Sequence, residues 1–489
     1  MSARMVPHDA ADILAALTPL GATLRGLSAD SRHITTGDGF AAYPGEAGDG
    51  RDYIDKAIAA GASAVLWEQQ DFSWPARWAD MPNLGVANLK ARVGEIAAQL
   101  YGQPAQALWM IGVTGTNGKT SCAHWLARCL NQLDRRAAVI GTLGNGFPDQ
   151  LGAAHNTTPD AIVLQRSLAD YVRQGAQAAV MEVSSHGLAQ GRVNGAKFDV
   201  AVLTNLSRDH LDYHGDMDRY GAAKASLFAW PGLKHAVLNL DDAFGRTLST
   251  RLENGPVNVV GYGLDAGRVR GEKLQLSASG LSMRIASDWG NAQLTSPLLG
   301  RFNASNLLAT LATLLVSGVS LNDAVQQLAT LQPVAGRMQA LGGGEKPVVV
   351  VDYAHTPDAL EKVLSTLKQV NPNGRLICVF GCGGNRDAGK RPLMGGIAAQ
   401  LADEVVVTSD NPRNEDPLAI IRDISADMGA NHHIEPDRAQ AILGAVQSAQ
   451  RGDVVLVAGK GHKDYQEIHG VKYPFSDVEI AQRALEGWA

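Results

Sequence analysis

Short apolar runs and segments of helical spacing alternate along most of the 489-residue chain. The apolar runs end in glycine or in a polar residue, as buried strands of an α/β sheet do. Strands alternating with helices favour a mainly parallel sheet. The runs that predict strands are ASAVLWE (62–68), WMIGVT (109–114), AAVMEVS (178–184), DVAVLTNLS (199–207), HAVLNLD (235–241), VVVVDYA (348–354), RLICVFG (375–381), EVVVTSD (404–410) and DVVLVAGKG (453–461).

The pattern changes character twice, which predicts three domains with breaks near residues 89 and 338. Residues 1–89 contain mixed short elements, including a helix at DYIDKAIAAG (52–61), and predict a small mixed α/β domain. Residues 90–337 predict a mainly parallel central sheet, to which the alternating pattern of residues 257–297 adds antiparallel strands. Residues 338–489 have continuous apolar strand runs again and predict a second, Rossmann-like α/β domain.

The composition is typical of a globular protein and lacks the features of a nucleic-acid-wrapping, zinc-binding, secreted or membrane-inserted one. Hydrophobic residues make up 45% and charged residues 19%, as in ordinary globular proteins, and the net charge of −6 lacks the basic excess of proteins that wrap nucleic acid. The four cysteines, Cys122, Cys129, Cys378 and Cys382, lack the close pairing of a zinc site, so we expect buried reduced thiols and a cytoplasmic location. The N-terminus MSARMVPHDAADILAAL has no secretory pattern, and no apolar run approaches about 18 residues, so we expect no membrane insertion.

The most informative motif is GVTGTNGKT at residues 112–120, between a predicted strand and the predicted helix SCAHWLARCLNQL. Glycines let backbone N–H groups turn toward phosphate oxygens, and a helix N-terminus adds a favourable dipole. Lys119 would neutralise the β- and γ-phosphates, and the hydroxyl of Thr120 would bind Mg²⁺. Val113 stands where the strict pattern has its first glycine, so a chance glycine-rich turn is the alternative, which the flanking strand and helix argue against. The motif predicts a P-loop ATPase-like central domain.

Further motifs follow along the chain, and together with GTNGKT they resemble the Mur ligases, a family similar to folylpolyglutamate synthetases. These motifs are EVSSHGL (182–188), TNLSRDHLDYHG (204–215), AAK (222–224), GRFNASN (300–306), GRM (336–338), DYAHTPDAL (352–360), GCGGNRD (381–387), SDNPRNEDP (409–417) and AGKGHKDYQ (458–466). The resemblance covers nearly the whole chain, and NTT at 156–158 and DNPR at 410–413 are similar to the muramyl-peptide branch rather than the folate branch.

The resemblance implies an ATP- and Mg²⁺-dependent amide ligase of peptidoglycan precursor synthesis. Such an enzyme adds meso-diaminopimelate to UDP-N-acetylmuramoyl-L-alanyl-D-glutamate through an acyl phosphate. The implied partners are these small molecules alone, and we expect a monomer. Two other functions remain open: a ligase that adds L-lysine or extends folates, and a regulator that only binds or hydrolyses ATP. Strict dependence of ATP turnover on both acceptor and amine would separate a ligase from a regulator.

The family resemblance also implies the catalytic and metal-binding groups. Lys119, Glu182, His210 and Lys224 form the implied catalytic set, and Thr120, Glu182, His210 and Lys224 the implied metal set. Lys224 would be carbamylated by CO₂, since a partly desolvated amine has a lowered pKa and is neutral enough to react. Taken alone, Lys224 is equally well a surface lysine. His210 and His214 have the spacing of a zinc pair, but no third ligand accompanies them.

Three sets of substrate-binding residues are implied in the same way. For ATP they are Gly115, Thr116, Asn117, Gly118, Lys119, Thr120, Ser121, Asn303 (adenine), Arg337 (phosphate) and Asp352 (ribose). For the UDP-muramyl-peptide they are Ser31, Asn156, Thr157, Thr158, Ser184, Gln190 and Arg192. For the amino acid they are Arg386, Asp410, Asn411, Pro412, Arg413, Gly459 and Lys463. Helix capping is an additional role for Thr157, because TTPD precedes the helical segment AIVLQRSLADYV.

The amino-acid set bears on selectivity. Arg413 would bind the distal carboxylate of diaminopimelate with two hydrogen bonds, and Arg386 would bind the other carboxylate. Lysine lacks a distal carboxylate and would leave a buried cation unpaired, so such a site rejects it. The family has a glutamate where this chain has Lys463, which cannot accept a hydrogen bond from the ligand ammonium; Asp464 and Glu467 are the candidate replacements. We also expect the C-terminal domain to rotate when ligands bind.

Overall fold

The computed structural model describes residues 9–46, 48–154, 156–429 and 432–488. Residues 1–8, which belong to the N-terminal stretch discussed above, lie outside the described residues. The chain divides into two compact units. The first comprises Met1–Val113, Leu133–Ala201 and Ala223–Lys234; the second comprises Thr114–Gln132, Val202–Ala222 and His235–Ala489. Within the described residues, no helix has both the length and the apolarity needed to cross a bilayer.

The N-terminal part of the first unit is a small α/β layer. Its elements are α1 (Ala10–Leu17), β1 (Gly26–Ser28), β2 (Asp38–Ala42), α2 (Ile54–Ala59), β3 (Ala64–Glu68), β4 (Asn83–Val86) and α3 (Leu89–Leu100). The four strands pair in parallel in the order β1-β2-β3-β4. The helix and strand predicted around residues 52–68 are confirmed as α2 and β3.

The middle of the chain alternates strands and helices as its apolar pattern predicts. Its elements are β5 (Trp109–Thr114), α4 (Lys119–Gln132), β6 (Ala137–Gly141), β7 (Gly144–Phe147), β8 (Gln150–Gly152), α5 (Ala161–Arg173), β9 (Ala178–Glu182), α6 (Ser185–Ala189), β10 (Val200–Leu203), α7 (Leu211–His214), α8 (Met217–Ala225), β11 (His235–Asn239), α9 (Ala243–Leu252), β12 (Asn258–Gly263), β13 (Val269–Ser277), β14 (Gly280–Ser287), β15 (Gly290–Ser296), α10 (Arg301–Val316) and α11 (Leu321–Ala329). In the first unit β5, β9 and β6 are parallel neighbours, and β7 and β8 continue antiparallel.

In the second unit the strand order is β15-β14-β13-β12-β11-β10. The predicted antiparallel addition is confirmed for β13, β14 and β15. The prediction is wrong for β12, which pairs in parallel with β11 and β13. Helix α9 lies between β11 and β12, and a helical crossover returns the chain in the same direction.

The C-terminal part of the second unit is a six-stranded sheet with helices on both faces. Its elements are β16 (Gln339–Gly342), β17 (Val348–Asp352), α12 (Pro357–Val370), β18 (Leu376–Phe380), α13 (Lys390–Leu401), β19 (Glu404–Val407), α14 (Pro417–Ser425), β20 (His433–Ile434), α15 (Arg438–Ser448), β21 (Val454–Ala458), β22 (Tyr465–Ile468), β23 (Val471–Pro474) and α16 (Asp477–Glu486). The order is β16-β17-β21-β18-β19-β20, with only β16 antiparallel, while β22 and β23 form a separate hairpin.

Successive residues of these strands enter two different cores. Val350 and Cys378 pack in one core, while their neighbours Val349 and Ile377 pack in the other. Because both faces are buried, the strands are apolar at every position rather than at alternate ones. The parallel strands β17, β18, β19 and β21 all end at one edge of the sheet, where open α/β sheets bind ligands. All four cysteines are buried free thiols, as predicted.

Candidate functional site

The predicted phosphate loop connects β5 to α4 and needs glycine at two positions. Gly115 and Gly118 have φ angles of +145° and +88°. A side chain at Gly115 would overlap the hydroxyl of Thr204, and one at Gly118 would contact a neighbouring asparagine. Lys119 begins α4, and its ammonium donates to the carbonyl oxygens of Gly115 (2.8 Å) and Thr116 (2.9 Å). A glycine-rich loop folded around a lysine at a helix N-terminus is the arrangement that binds phosphate.

A cavity of about 290 Å³ lies beside this loop in the second unit. Six predicted ATP residues from separate parts of the sequence line it: Asn117, Gly118, Ser121, Asn303, Arg337 and Asp352. Trp125 and Phe302 supply apolar walls. Apolar walls with a few placed polar groups are typical of small-molecule sites.

Arg337 connects the cavity with the phosphate loop. Its guanidinium donates to the hydroxyl of Thr120 (3.1 Å) and lies 4.4 Å from the ring centre of Tyr353. Asp352, the last residue of β17, accepts a hydrogen bond from the backbone N–H of Met338 (2.7 Å). Burial raises the pKa of Asp352, and the nearby Arg337 opposes this. Both predicted groups therefore stand in the wall of the cavity beside the phosphate loop.

The sequence reasoning missed Asp358, in the first turn of α12. Its carboxylate accepts hydrogen bonds from the amide of Asn117 (2.9 Å) and from the hydroxyl of Ser207 (3.3 Å), and it pairs with Lys362 (2.7 Å). Asp358 stands in the motif DYAHTPDAL, but nothing in the spacing indicates a partner 241 residues away. Asp358 therefore fixes the side chain of Asn117 in the phosphate loop.

Glu182 ends β9 in the first unit and is 1% exposed. Its carboxylate accepts hydrogen bonds from the backbone N–H (2.7 Å) and the hydroxyl (3.2 Å) of Thr142. That hydroxyl also lies 3.0 Å from the hydroxyl of Thr157. Gly141 passes so close that a β-carbon there would lie 2.9 Å from Cγ and Cδ of Glu182. The backbone therefore fixes where this predicted metal ligand points, and Thr142 is a contact that the sequence reasoning missed.

Three other predicted muramyl-peptide residues form a cluster next to Glu182. Thr158 donates to the carbonyl of Glu182 (2.9 Å), and its hydroxyl lies 3.0 Å from that of Ser184. Ser184 caps α6 by accepting the N–H of Gly187 (3.0 Å). Arg192 donates to the carbonyl of Thr158 (3.1 Å). The cluster thus combines hydroxyl groups with one guanidinium.

Not every predicted muramyl-peptide residue joins this cluster. Ser31 begins a short 3₁₀ helix in the N-terminal part, and Gln190 follows α6. Among the hydrogen bonds of the described residues, none links Ser31 or Asn156 to the cluster. The segment TTPD does cap α5, but through Asp160, which accepts the N–H groups of the helix's second and third residues, and not through Thr157.

His210 precedes α7 with a φ of +55°. Its Nε2 lies 3.2 Å from the carboxylate of Asp209, which is also 3.6 Å from His355 and 4.0 Å from Lys390. Burial raises the pKa of Asp209, but the surrounding His355, His210 and Lys390 outweigh it and hold that pKa far below its usual range. Asp209 therefore stays a carboxylate, with His210, His355 and Lys390 around it.

Lys224 lies on α8 and is 1% exposed, which excludes the surface-lysine alternative. Of the predicted metal-binding groups, Glu182 and Lys224 belong to the first unit, and Thr120 and His210 to the second.

A second cavity, of about 260 Å³, lies at the carboxyl edge of the C-terminal sheet. Six of the seven predicted amino-acid residues line it: Arg386, Asp410, Asn411, Arg413, Gly459 and Lys463. His210, His355 and Lys390 line it as well, and Tyr353 lines both cavities of the second unit. The cavity beside the phosphate loop and this polar cavity therefore share a wall at Tyr353.

The position of the predicted selectivity residue Arg413 is fixed by hydrogen bonds of its backbone and of its guanidinium. With φ at +52°, its N–H donates to the carbonyl of Glu467 (3.0 Å), and its guanidinium donates to the carbonyl of Gly384 (2.7 Å). The guanidinium also lies 3.3 Å from the carboxylate of Glu467. Lys463, in contrast, points its ammonium toward the ring of Tyr465, 6.0 Å from the ring centre. Of the two candidate replacements for the family's glutamate, Glu467 is thus the one whose carboxylate stands beside Arg413.

Comparison with known families covers most of the chain. Residues 23–101 match the Mur ligase family catalytic domain, residues 113–314 the Mur ligase middle domain, and residues 336–461 the Mur ligase glutamate ligase domain.

Individual proteins resemble the chain along nearly its full length. It is 55% identical over 477 residues to UDP-N-acetylmuramoyl-L-alanyl-D-glutamate–2,6-diaminopimelate ligase of Chromobacterium violaceum, covering 97% of each chain. A solved structure of a ligase with the same name is 41% identical, with a TM-score of 0.67 and 95% of each chain covered. The MurF ligase of Thermotoga maritima in complex with ADP shares the fold, with a TM-score of 0.66, 19% identity, and 96% of this chain and 99% of that one covered.

Proposed function

Because the chain belongs to the Mur ligase family, we propose that it joins meso-diaminopimelate to UDP-N-acetylmuramoyl-L-alanyl-D-glutamate, using ATP, in peptidoglycan precursor synthesis. The observation that carries the proposal is the pair of cavities in the second unit. One adjoins a phosphate loop, the other is lined by two arginines and three lysines among carboxylates, and Tyr353 lines both. A ligase needs two adjacent sites of this kind, because the activated carboxylate must react with the amine before water hydrolyses it.

The reaction proceeds in two steps. An oxygen of the substrate carboxylate attacks the γ-phosphorus of ATP, ADP leaves, and an acyl phosphate forms. The neutral amine of diaminopimelate then attacks the acyl carbon, and the tetrahedral intermediate expels inorganic phosphate as the amine loses a proton. This chemistry depends on alignment and charge neutralisation rather than on a protein nucleophile. Lys119 and Arg337 supply positive charge at the phosphates, and Asn303 and Asp352 orient the nucleotide.

We propose that oxygen donors of the chain would hold Mg²⁺. It prefers oxygen ligands, and the hydroxyl of Thr120 and the carboxylate of Glu182 are of this type. His210 would be a third ligand, and Mg²⁺ would supply Lewis acidity toward the phosphates. The burial of Lys224 supports its carbamylation, because desolvation favours the neutral amine that CO₂ attacks. The carbamate oxygens would then hold a second Mg²⁺.

Selectivity for the amino acid comes from a pair of opposite charges. The end of diaminopimelate that distinguishes it from lysine carries a carboxylate and an ammonium on one carbon. Arg413 and Glu467 present complementary charges 3.3 Å apart. Arg413 would bind the carboxylate and Glu467 the ammonium. Lys463 cannot take the second role, because it cannot accept a hydrogen bond. Arg386 and Asp410 would bind the other end of the molecule. Lysine lacks the carboxylate that Arg413 would bind, and its loss is expected to cost several kcal/mol or about 10⁴-fold in rate.

The remaining substrate is assigned to the first unit. The hydroxyl groups of Thr157, Thr158 and Ser184 and the guanidinium of Arg192 would hold the muramyl-peptide, with Asn156 and Gln190 beside them. Ser31 in the small parallel sheet would contact the UDP group. We assign three domains to these tasks: residues 1–89 for UDP, 90–337 for ATP and 338–489 for the amino acid. The third domain would rotate on ligand binding, and a small-angle scattering profile unchanged by ATP and substrates would contradict that motion.

The four buried free thiols support a reducing, cytoplasmic location, and we propose a monomer. The test of the function is phosphate release by purified protein with Mg²⁺, ATP and the UDP-muramyl-dipeptide, with and without diaminopimelate. Release is expected only when all components are present, matched by amide product. Release without acceptor or amine would indicate a nucleotide-binding regulator, and activity with folate and glutamate would indicate a folate-type ligase.

A further inference from the structure

The loop after β19 and the loop after β21 meet through one buried lysine. The side chain of Lys460 is 0% exposed, and its ammonium donates to Oδ1 of Asn411 (3.0 Å) and to the carbonyl of Tyr465 (2.5 Å). The same Oδ1 accepts the backbone N–H of Glu467 (2.8 Å). The amide oxygen of Asn411 therefore has two donors, one of them charged.

These two donors determine which way the amide faces. A side-chain amide has one acceptor oxygen and one NH₂ group, and turning it over would place the NH₂ against an ammonium and an N–H. The orientation with Oδ1 toward Lys460 is therefore the only satisfied one. Among the described residues no acceptor binds Nδ2 of Asn411, and Asn411 lines the 260 Å³ cavity. The two N–H donors of the amide are thus left for a ligand in that cavity.

We propose that Lys460 is a positioning residue of the amino-acid site: it holds Asn411 so that the amide presents donors, and not an acceptor, to a carboxylate of the incoming amino acid. This rests on the proposed function, since it assumes that the cavity binds the diamino acid. Lys460 also lines the cavity, but its side chain is 0% exposed and its ammonium is directed to Asn411 and the carbonyl of Tyr465, so it acts through Asn411.

A buried ammonium suits this task better than a neutral donor. Burial of a lysine is costly, and Asp410 at 3.8 Å offsets part of the cost. Burial lowers the pKa of Lys460, and Asp410 acts in the opposite direction. Hydrogen bonds from a charged donor are roughly twice as strong as those between neutral groups, so the ammonium holds the amide oxygen more firmly than a hydroxyl or amide would.

The test is steady-state kinetics of Lys460→Met, which keeps the length of the side chain and removes the donor. The KM for diaminopimelate should rise about tenfold or more, the value expected when a fixed hydrogen-bonding group is lost, while the KM for ATP changes by less than about twofold. Lys90→Met is the matched control: this lysine is exposed on α3, in the first unit, and the change should leave all constants unaltered. Equal rises in every KM, or no rise for diaminopimelate, would overturn the inference.

A double-mutant cycle separates positioning from general support of the loops. In an Asn411→Ala background, Lys460→Met should raise the KM for diaminopimelate by less than about twofold more, because its partner is already gone. Full additivity would overturn the inference. Asn411→Asp provides a second route if Lys460→Met does not fold. It retains an oxygen for Lys460 but presents an acceptor to the ligand carboxylate, so a wild-type KM for diaminopimelate would contradict the inference.

These outcomes differ from failure of the proposed function. If the wild-type protein forms no product with diaminopimelate, the function itself is wrong. If the wild type is active and the variants respond otherwise than stated, the function stands and only the role of Lys460 falls.

Discussion

Gly141→Ala is predicted to impair the reaction by displacing Glu182. A β-carbon at position 141 would lie 2.9 Å from Cγ and Cδ of Glu182 and nearer still to its carboxylate oxygen, whereas carbon atoms in contact stand about 3.5–4.0 Å apart. The side chain must therefore move by about 1 Å, and it would lose the hydrogen bonds from Thr142. A misplacement of this size in a catalytic group costs about 100-fold in rate. The fold should survive, because the obstructing atoms belong to a side chain that can move.

The assay is phosphate release at saturating substrates over a range of Mg²⁺ concentrations. Gly141→Ala should lower kcat about 100-fold and raise the Mg²⁺ concentration needed for half-maximal rate. Gly152→Ala on β8 is the control: its nearest neighbouring atom is the carbonyl oxygen of Asn145 at 3.5 Å, so its activity should equal that of the wild type. A wild-type kcat for a correctly folded Gly141→Ala protein would refute the reasoning, since the position of the Glu182 carboxylate would then not matter.

Three more predictions follow from buried groups. Arg438→Met leaves Asp477 as an unpaired carboxylate at 0% exposure and should lower the free energy of unfolding in urea by about 3–5 kcal/mol. Loss of the exposed Arg422 should cost about 1 kcal/mol or less. Equal losses of stability in the two variants would contradict this prediction. Wild-type protein kept free of CO₂ should lose activity that bicarbonate restores, whereas Lys224→Glu should be indifferent to bicarbonate; a wild type that never responds would rule out carbamylation. Burial lowers the pKa of His462 to about 3, so around and below pH 6.5 the unfolded chain takes up a proton that the folded one does not. The free energy of unfolding should therefore fall by about 1 kcal/mol between pH 6.5 and 5.5. His462→Leu should remove that part of the pH dependence, and an unchanged difference between the two pH values would refute it.

The sequence predicts the fold well because apolar runs and glycine-rich turns are local. The strands around residues 109–114 and 348–354 and the helix after the phosphate loop lie where the pattern places them. The parallel pairing of β12 was missed, since alternation describes the two faces of a strand but not the direction of its neighbour. For the pairing of β11 with β12, the helix between the two strands is the better indicator, because a helical crossover returns the chain in parallel.

The candidate site was only partly predictable, because its partners meet through the fold. Asn117 and Asp358 are 241 residues apart, and Thr142 reaches Glu182 across 40 residues. No motif spacing encodes such pairs. Lys460 stands in the motif AGKGHKDYQ. The motif does not indicate that its ammonium donates to Asn411, because that contact depends on the burial of the side chain in the folded protein.

The most direct test of the account is a competition for the amine. Purified protein receives ATP, Mg²⁺ and the UDP-muramyl-dipeptide with equimolar meso-diaminopimelate and L-lysine, and mass spectrometry measures the two amide products. The account predicts the diaminopimelate product in excess of about 10⁴-fold, because lysine lacks the carboxylate that Arg413 would bind. A mixture of both products, or the lysine product alone, would contradict the selectivity assigned to Arg413 and Glu467, and no amide product at all would contradict the proposed function.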